Sequence, residues 1–376
     1  MPVVTTAAIA HPGATDFSWE QVELEDPRAD EVLVRIVGAG VCHTDLSVLA
    51  GRLPVPLPAV LGHEGAGVVE AVGANVSDIH PGDAVLLTFT SCGHCLPCRG
   101  GVPTHCTTFF LRNFAAARED GSSPVRTMDG TRLGGQFFGQ SCLAPHAVVS
   151  ARSVVPVRVT DEDELARLAP LGCGVQTGAG AILNVLRPEP GSSIVVFGAG
   201  AVGLSAVMAA RLTAAVRIVA VDRISSRLDL ALELGATDVI DSSREPLAVR
   251  LAELGQMIGL DYAVETTGVP ALLEQAIDAV TTTGTVAVIG APSAGNRASF
   301  DVNALIDGRT VRGVTEGASD RITLIPALVE LHRQGRLPFD ELVRLYPPDQ
   351  LNRAVADVRS GATLKPIIRF PKGADL

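Results

Sequence analysis

The chain is 376 residues long, 47% hydrophobic and 19% charged, with a formal net charge of -11. That length exceeds one typical domain and suits two, each able to bury its own core, and the acidic balance argues against nucleic acid or an anionic membrane as partner. The opening MPVVTTAAIAHPGATDF lacks a basic start followed by an apolar run, so the expectation is a soluble cytoplasmic protein in a reducing compartment.

In chain order, three short β-branched runs come first: EVLVRIV at 31–37, AGVVEAV at 66–72 and DAVLLTF at 83–89. Gly, Pro and Asp turns separate them, as in an antiparallel β domain. The stretch CGHCLPCRGGVPTHC, 92–106, then places four cysteines in fifteen positions. The total of seven cysteines is odd, and disulfides do not persist in a reducing compartment. The C-x2-C-x2-C-x7-C spacing of Cys92, Cys95, Cys98 and Cys106 therefore reads as four thiolates around one zinc ion. His94 and His105 offer substitute ligands in the same stretch. Four thiolates already close a tetrahedron, however, and a closed site holds no substrate, so this zinc is structural. Five of the eleven Phe (Phe109, Phe110, Phe114, Phe137, Phe138) fall between 109 and 138, which suits a pocket wall and ordinary core packing equally.

From about residue 174 the rhythm changes to strand, helix, strand: SIVVFG, a helix to Leu212, RIVAVD, SSRLDLALELG, DVID. That βαβ pattern implies a parallel sheet. Residues 191–210 carry no charge over nearly a membrane-spanning length, but their glycines and serine-rich start suit a buried strand, a tight turn and a helix. Within them GAGAVG supplies Gly198 for the turn, Gly200 for close approach of a pyrophosphate, and Gly203 for helix–strand packing. Asp222 ends the next strand nineteen residues past Gly203, where a carboxylate accepts both ribose hydroxyls of NAD and repels the 2′-phosphate of NADP. Arg223 and Arg227 read as a solvated face, with Arg227 in reach of the adenosine ribose. After Gly313 mixed helix and strand return, ending in LKPIIRF. The expected domains are 1–173, completed by 314–376, and 174–313.

Cys42 in GVCHTD, His63 in GHEGAG and Cys173 in LGCGVQTG offer two thiolates and an imidazole at long separations. Taken singly, each reads as well as a buried core residue. Together, though, GVCHTD, GHEGAGVVEAVG, the four-cysteine lobe, GCGVQTG and the GAGAVG-to-Asp222 unit occur in one order along almost the whole chain. This set resembles the zinc-dependent medium-chain alcohol dehydrogenases. LIPALVELHRQGRLPFDELVRLYP and LGGQFFGQSC most resemble the benzyl (aryl) alcohol dehydrogenase branch.

The resemblance implies an α/β protein in which a Rossmann doubly wound parallel sheet accompanies a GroES-like, mostly antiparallel β catalytic domain. It makes Cys42, His63 and Cys173 the ligands of a catalytic zinc with an open fourth position, an arrangement that suits a metal receiving an alcohol oxygen. Asp45 would orient His63, and Glu64 would lie close behind the metal. Thr44 would take the alcohol proton, His43 and Lys365 would meet the pyrophosphate, and Thr177 and Val202 would neighbour the nicotinamide. The expected activity is NAD-linked oxidation of primary alcohols, aromatic or otherwise apolar, and the reverse reduction, with two zinc ions per chain. A thiol-dependent formaldehyde dehydrogenase of the same family shares these features; a non-catalytic zinc module would leave the dinucleotide fingerprint idle. Small-molecule alcohols and aldehydes are the expected partners, with no nucleic acid or membrane, and the resemblance favours a homodimer, with a tetramer as the alternative. Cys142 is left over as a small buried hydrophobe. One departure stands out: liver-type relatives end their proton relay at a histidine five positions after the first zinc cysteine, where this chain has Ser47.

Overall fold

The computed structural model describes residues 3–292 and 295–373, which divide into two units. The first runs to Cys173 and takes in Asp320–Val329 and the chain from Asp340; the second comprises Gly174–Ser319 and Glu330–Phe339. The return to the first unit thus falls at Asp320, later than the 314 expected from sequence. The reason is local: the side chains of Glu316 and Ser319 hydrogen-bond Gln176, in the helix Gly174–Gly180, and hold this turn in the second unit.

In the first unit a seven-stranded sheet runs Val343–Tyr346, Lys365–Arg369, Glu31–Gly40, Glu64–Val72, Ala84–Leu87, Val154–Pro156, with His146–Ser150 also pairing Glu31–Gly40. All pairings are antiparallel except the first. A four-stranded antiparallel sheet, Ala59–Val60, Val3–Ala10, Ser18–Leu24, Val125–Thr127, completes the β framework. Glu31–Gly40 is buried along almost its whole length, as its β-branched run requires of a central strand. Register places Gly40 opposite both Glu64 and Ile367, so three strands deliver Gly40, Glu64 and Lys365 to one corner. A Cβ on Gly40 would lie 2.2 Å from Glu64 Oε2; only glycine permits that approach.

The second unit holds six parallel strands in the order Asp238–Asp241, Arg217–Asp222, Ser193–Phe197, Leu260–Glu265, Val280–Val288, Thr310–Gly313. In sequence rank this order is 3-2-1-4-5-6, the doubly wound arrangement whose ligand crevice lies at the carboxyl ends of the strands where the winding reverses. Ser193–Phe197 sits at that reversal and is apolar and buried, as a strand covered on both faces must be. The uncharged stretch 191–210 is this strand, its turn and most of the helix Ala201–Arg211. Among the described residues no helix is long and apolar enough to cross a membrane.

Candidate active site

Cys42 ends the turn after Glu31–Gly40 and caps the helix His43–Leu49. His63 and Glu64 open the neighbouring strand, and Cys173 closes the first unit. One ligand atom from each of Cys42, His63, Glu64 and Cys173 lies within 4.8 Å of the others. His63 is fully buried, and its Nδ1 is 3.0 Å from Asp45 Oδ1. That oxygen also accepts the Gly62 N–H, and Asp45 Oδ2 accepts the Cys42 N–H. Asp45 thereby fixes the backbone at Cys42 and next to His63 and takes up Nδ1 of His63, which leaves Nε2 as the nitrogen available to a metal. Nε2 makes no hydrogen bond. A buried nitrogen without a partner costs about 1–3 kcal/mol, and a soft, thiophilic cation is the group that two thiolates and an imidazole fit. The residues present therefore suit zinc.

Hydrogen bonding from Cys173, helped by the charges of Lys365 and His63, holds the Cys42 thiol well below its usual value, toward the ionised form a metal needs. Burial works against a charged His63, yet Asp45 and Cys42 together raise the imidazole well above normal, so zinc would bind there by displacing the Nε2 proton. Burial also raises Glu64. Lys365, expected at the pyrophosphate, is 3% exposed and donates to both carboxylate oxygens of Glu64, at 2.7 and 2.9 Å. Its charge is thus directed at Glu64, whereas His43, the other cation expected there, is exposed on the first turn of its helix.

An aromatic shell closes around the imidazole. Phe138 stacks on the His63 ring at a centroid distance of 4.7 Å and 29° between planes, and Phe137 meets it edge-on at 5.5 Å. Phe114 packs on both phenylalanines, Phe109 on Phe138, and Phe110 stacks on Phe114. The phenylalanines that sequence left between wall and core are therefore one connected cluster, running from a half-exposed Phe110 to the buried ligand ring. Cys142 is fully buried in the same core, and burial raises its thiol well above normal.

Away from this cluster the thiols of Cys92, Cys95, Cys98 and Cys106 also converge within 4.8 Å. Backbone N–H groups point at the sulfurs, from Cys95 to Cys92 and from Cys92 to Cys106, each at 3.3 Å. Donation from the backbone of Thr107 and Cys98 lowers Cys95 to about 5, while burial pushes Cys98 up to about 12. Four thiols this close cannot all ionise without a cation between them, and the all-sulfur donor set fits a second, closed zinc site.

In the second unit Gly198 has φ +93° at the end of its strand, a conformation glycine alone adopts freely. No atom lies within 4 Å of a Cβ built on Gly200, whereas one on Gly203 would lie 1.7 Å from the Gly198 carbonyl oxygen. One glycine leaves room for a phosphate; the other is demanded by packing. Asp222 accepts the Ala199 N–H at 2.8 Å, and Arg227 lies 3.9 Å from it. The Val202 carbonyl lies against Gly178, where a Cβ would come within 2.0 Å of its oxygen, and the Thr177 hydroxyl faces Glu316 at 3.5 Å. These groups suit a dinucleotide. Ser47 is half-buried on the helix that carries Thr44 and Asp45.

Gln140 and Glu316 escaped sequence reasoning, because a Gln in a loop and a Glu after a strand carry no spacing signal. Both are buried: Gln140 bonds the backbone at His63, Gly65 and Thr88, and Glu316 accepts from Gln176.

Two protein-family models match the chain. The alcohol dehydrogenase GroES-like domain matches residues 28–159, and the zinc-binding dehydrogenase family matches 201–330. Geraniol dehydrogenase of Castellaniella defragrans is 42% identical over 366 residues, 97% of each chain. Among solved structures, an alcohol dehydrogenase zinc-binding domain protein from Burkholderia ambifaria is 52% identical, with a TM-score of 0.95 over 99% of this chain and 100% of its own. Benzyl alcohol dehydrogenase from Acinetobacter calcoaceticus is 44% identical, with a TM-score of 0.93 over 98% of this chain and 100% of its own.

Proposed function

The chain belongs to the zinc-dependent medium-chain alcohol dehydrogenase family, and on that premise we propose that it oxidises apolar primary alcohols to aldehydes with NAD and catalyses the reverse reduction. Geraniol and benzyl alcohol, after which two relatives are named, share a primary CH2OH on an unsaturated carbon and an apolar body. The observation that carries the substrate class is the phenylalanine cluster against His63.

Cys42, His63 and Cys173 would hold a zinc ion that lowers the pKa of a bound alcohol, and NAD would accept the hydride. The chain's own part is to hold and shield. Asp45 keeps the proton on Nδ1 of His63, so that Nε2 remains a ligand. Thr44 Oγ1, 3.9 Å from Cys42 Sγ, stands beside the ligand set, where its hydroxyl would accept the alcohol proton while passing its own proton onward to solvent. Lys365 balances Glu64, so this carboxylate does not add an unpaired charge behind the site. Phe137 and Phe138 keep water from the His63 face. Asp222, at the end of Arg217–Asp222, receives the ribose hydroxyls and disfavours NADP.

We also place the protein in the reducing cytoplasm as a homodimer. None of the seven cysteines is in a disulfide, and Thr310–Gly313 is an exposed sheet edge, with Val302 and Ile306 exposed shortly before it in the chain, an edge that a second copy would cover.

The test is a panel of benzyl alcohol, geraniol, ethanol and formaldehyde, the last with and without glutathione, followed by NADH absorbance. The reading predicts kcat/KM for benzyl alcohol about 100-fold above ethanol, the roughly 2.7 kcal/mol that burying a phenyl group supplies. A glutathione-dependent formaldehyde activity exceeding that on every alcohol would replace it with the thiol-dependent reading.

A further inference from the structure

Asp45 holds His63 at one point, Nδ1. Together with the Cβ–Cγ bond that hydrogen bond still lets the ring rock, and rocking would carry Nε2 away from the thiols of Cys42 and Cys173. A contact on the ring faces would limit that motion. We propose that Phe137–Ser141 forms a rigid collar that sets the plane of His63, with Phe138 and Gln140 as its positioning residues. The inference rests on the reading of Cys42, His63 and Cys173 as a zinc centre.

Two observations on the rings converge on it. Phe138 lies face to face with His63 while Phe137 meets it edge-on, at 87°, so two rings oppose rotation in two directions. A metal-bound imidazole would carry part of the ion's charge, which the face of Phe138 would attract. Phe138 reaches this position only by adopting φ 54° and ψ 29°, a left-handed conformation that a bulky residue holds at a cost in free energy.

The backbone around it is arranged to enforce that conformation. Ser141, itself at φ 53°, accepts the Phe137 N–H at 2.9 Å and donates to the Val60 carbonyl at 2.7 Å. Ser153 donates to the Phe138 carbonyl at 3.2 Å, and the Gln140 and Ser141 N–H groups both return to the Phe137 carbonyl. Strain retained this firmly marks a constraint that something else requires.

Gln140 ties the collar to the ligand strand. Its side chain is fully buried; Nε2 donates to the His63 carbonyl at 2.9 Å and to the Thr88 carbonyl at 3.0 Å, while Oε1 accepts the Gly65 N–H at 3.1 Å. The backbone on either side of Glu64 is thus gripped by one amide, and the residue two positions before that amide stacks on the ligand ring. Backbone and side chain of His63 are held by the same five residues.

The test uses the full-length zinc enzyme and reads metal release rather than turnover. Zinc transfer to a chromogenic chelator is followed for wild type, Phe138→Gly, Phe138→Tyr and Gln140→Met, and each protein is also loaded with cobalt(II) for its d–d spectrum. Glycine adopts the left-handed backbone without penalty, so Phe138→Gly removes the ring while relieving the strain. The expected result for Phe138→Gly and Gln140→Met is zinc release from the His63 centre faster by roughly 10- to 100-fold, the range typical of lost outer partners. The release of the four-cysteine zinc stays unchanged, the cobalt spectrum shifts, and Phe138→Tyr, which keeps the ring plane, behaves as wild type. Wild-type release rates and cobalt spectra in both Phe138→Gly and Gln140→Met would overturn the collar while leaving the dehydrogenase reading intact. If Phe138→Gly does not fold, Gln140→Met decides on the same two readouts. A wild-type protein that binds no zinc at Cys42, His63 and Cys173 would instead remove the premise.

Discussion

Asp222 carries two tasks in one carboxylate. Its Oδ2 accepts the N–H of Ala199 inside the glycine turn, and its Oδ1 accepts those of Arg223 and Ile224, so it shapes the turn before any cofactor arrives. Replacing it with glycine removes both the ribose acceptor and the charge that opposes a 2′-phosphate. Asp222→Gly is expected to lower the NAD-over-NADP ratio of kcat/KM by roughly 10- to 100-fold, about 1.4–2.7 kcal/mol, mostly by weakening NAD. An unchanged ratio would show that another group selects the cofactor. Ser47 poses the opposite question, because its hydroxyl has no pKa near neutrality and cannot end a proton relay as a base. Ser47→Ala should therefore change neutral-pH turnover little. Ser47→His should introduce a group titrating near 6.5 and move the pH profile of alcohol oxidation toward neutrality. A hundredfold loss in Ser47→Ala without weaker NAD binding would make the serine an essential relay member.

Individual elements show which parts of this molecule a sequence reveals. The strand, turn and helix around GAGAVG were legible because a backbone at φ +93° and a position where an added Cβ would lie 1.7 Å from a carbonyl oxygen are demands only glycine meets. The cysteine lobe was legible because its ligands are close in sequence. Cys42, His63 and Cys173 needed the family resemblance, since strand register joins positions far apart along the chain. The Glu64–Lys365 pair arises in the same way: three neighbouring strands put a carboxylate and an ammonium 301 residues apart into contact, and nothing local announces it. The pair makes its own prediction. Lys365→Met leaves a buried carboxylate uncompensated and should cost about 3–5 kcal/mol in denaturant unfolding, whereas Glu64→Gln combined with Lys365→Met should recover most of it. Equal losses in the single and double variants would mean that the two residues are not coupled. In the lobe, Cys98→Ser removes one of four zinc ligands and should lower the melting temperature, because a structural zinc contributes directly to folding. An unaltered melting temperature would deny that role.

At the scale of the whole molecule, the two units supply different chemistry, one a pair of thiol-rich metal clusters and the other a dinucleotide crevice at a reversal of strand order. Both kinds of architecture were readable from the switch in hydrophobic rhythm near residue 174. The point of return at Asp320 was not, because side-chain bonds from Glu316 and Ser319 to Gln176 decide it. The central claim is that one open zinc centre at Cys42, His63 and Cys173 performs the alcohol chemistry and the four-cysteine centre does not. The most direct measurement is NADH formation from benzyl alcohol by wild type and Cys173→Ser, each with its zinc counted per chain. The account predicts two zincs and turnover for wild type. For a folded Cys173→Ser it predicts one zinc and a rate lower by about 1000-fold or more, at least ~4 kcal/mol of barrier. Undiminished turnover in a Cys173→Ser protein that retains only the four-cysteine zinc would contradict it.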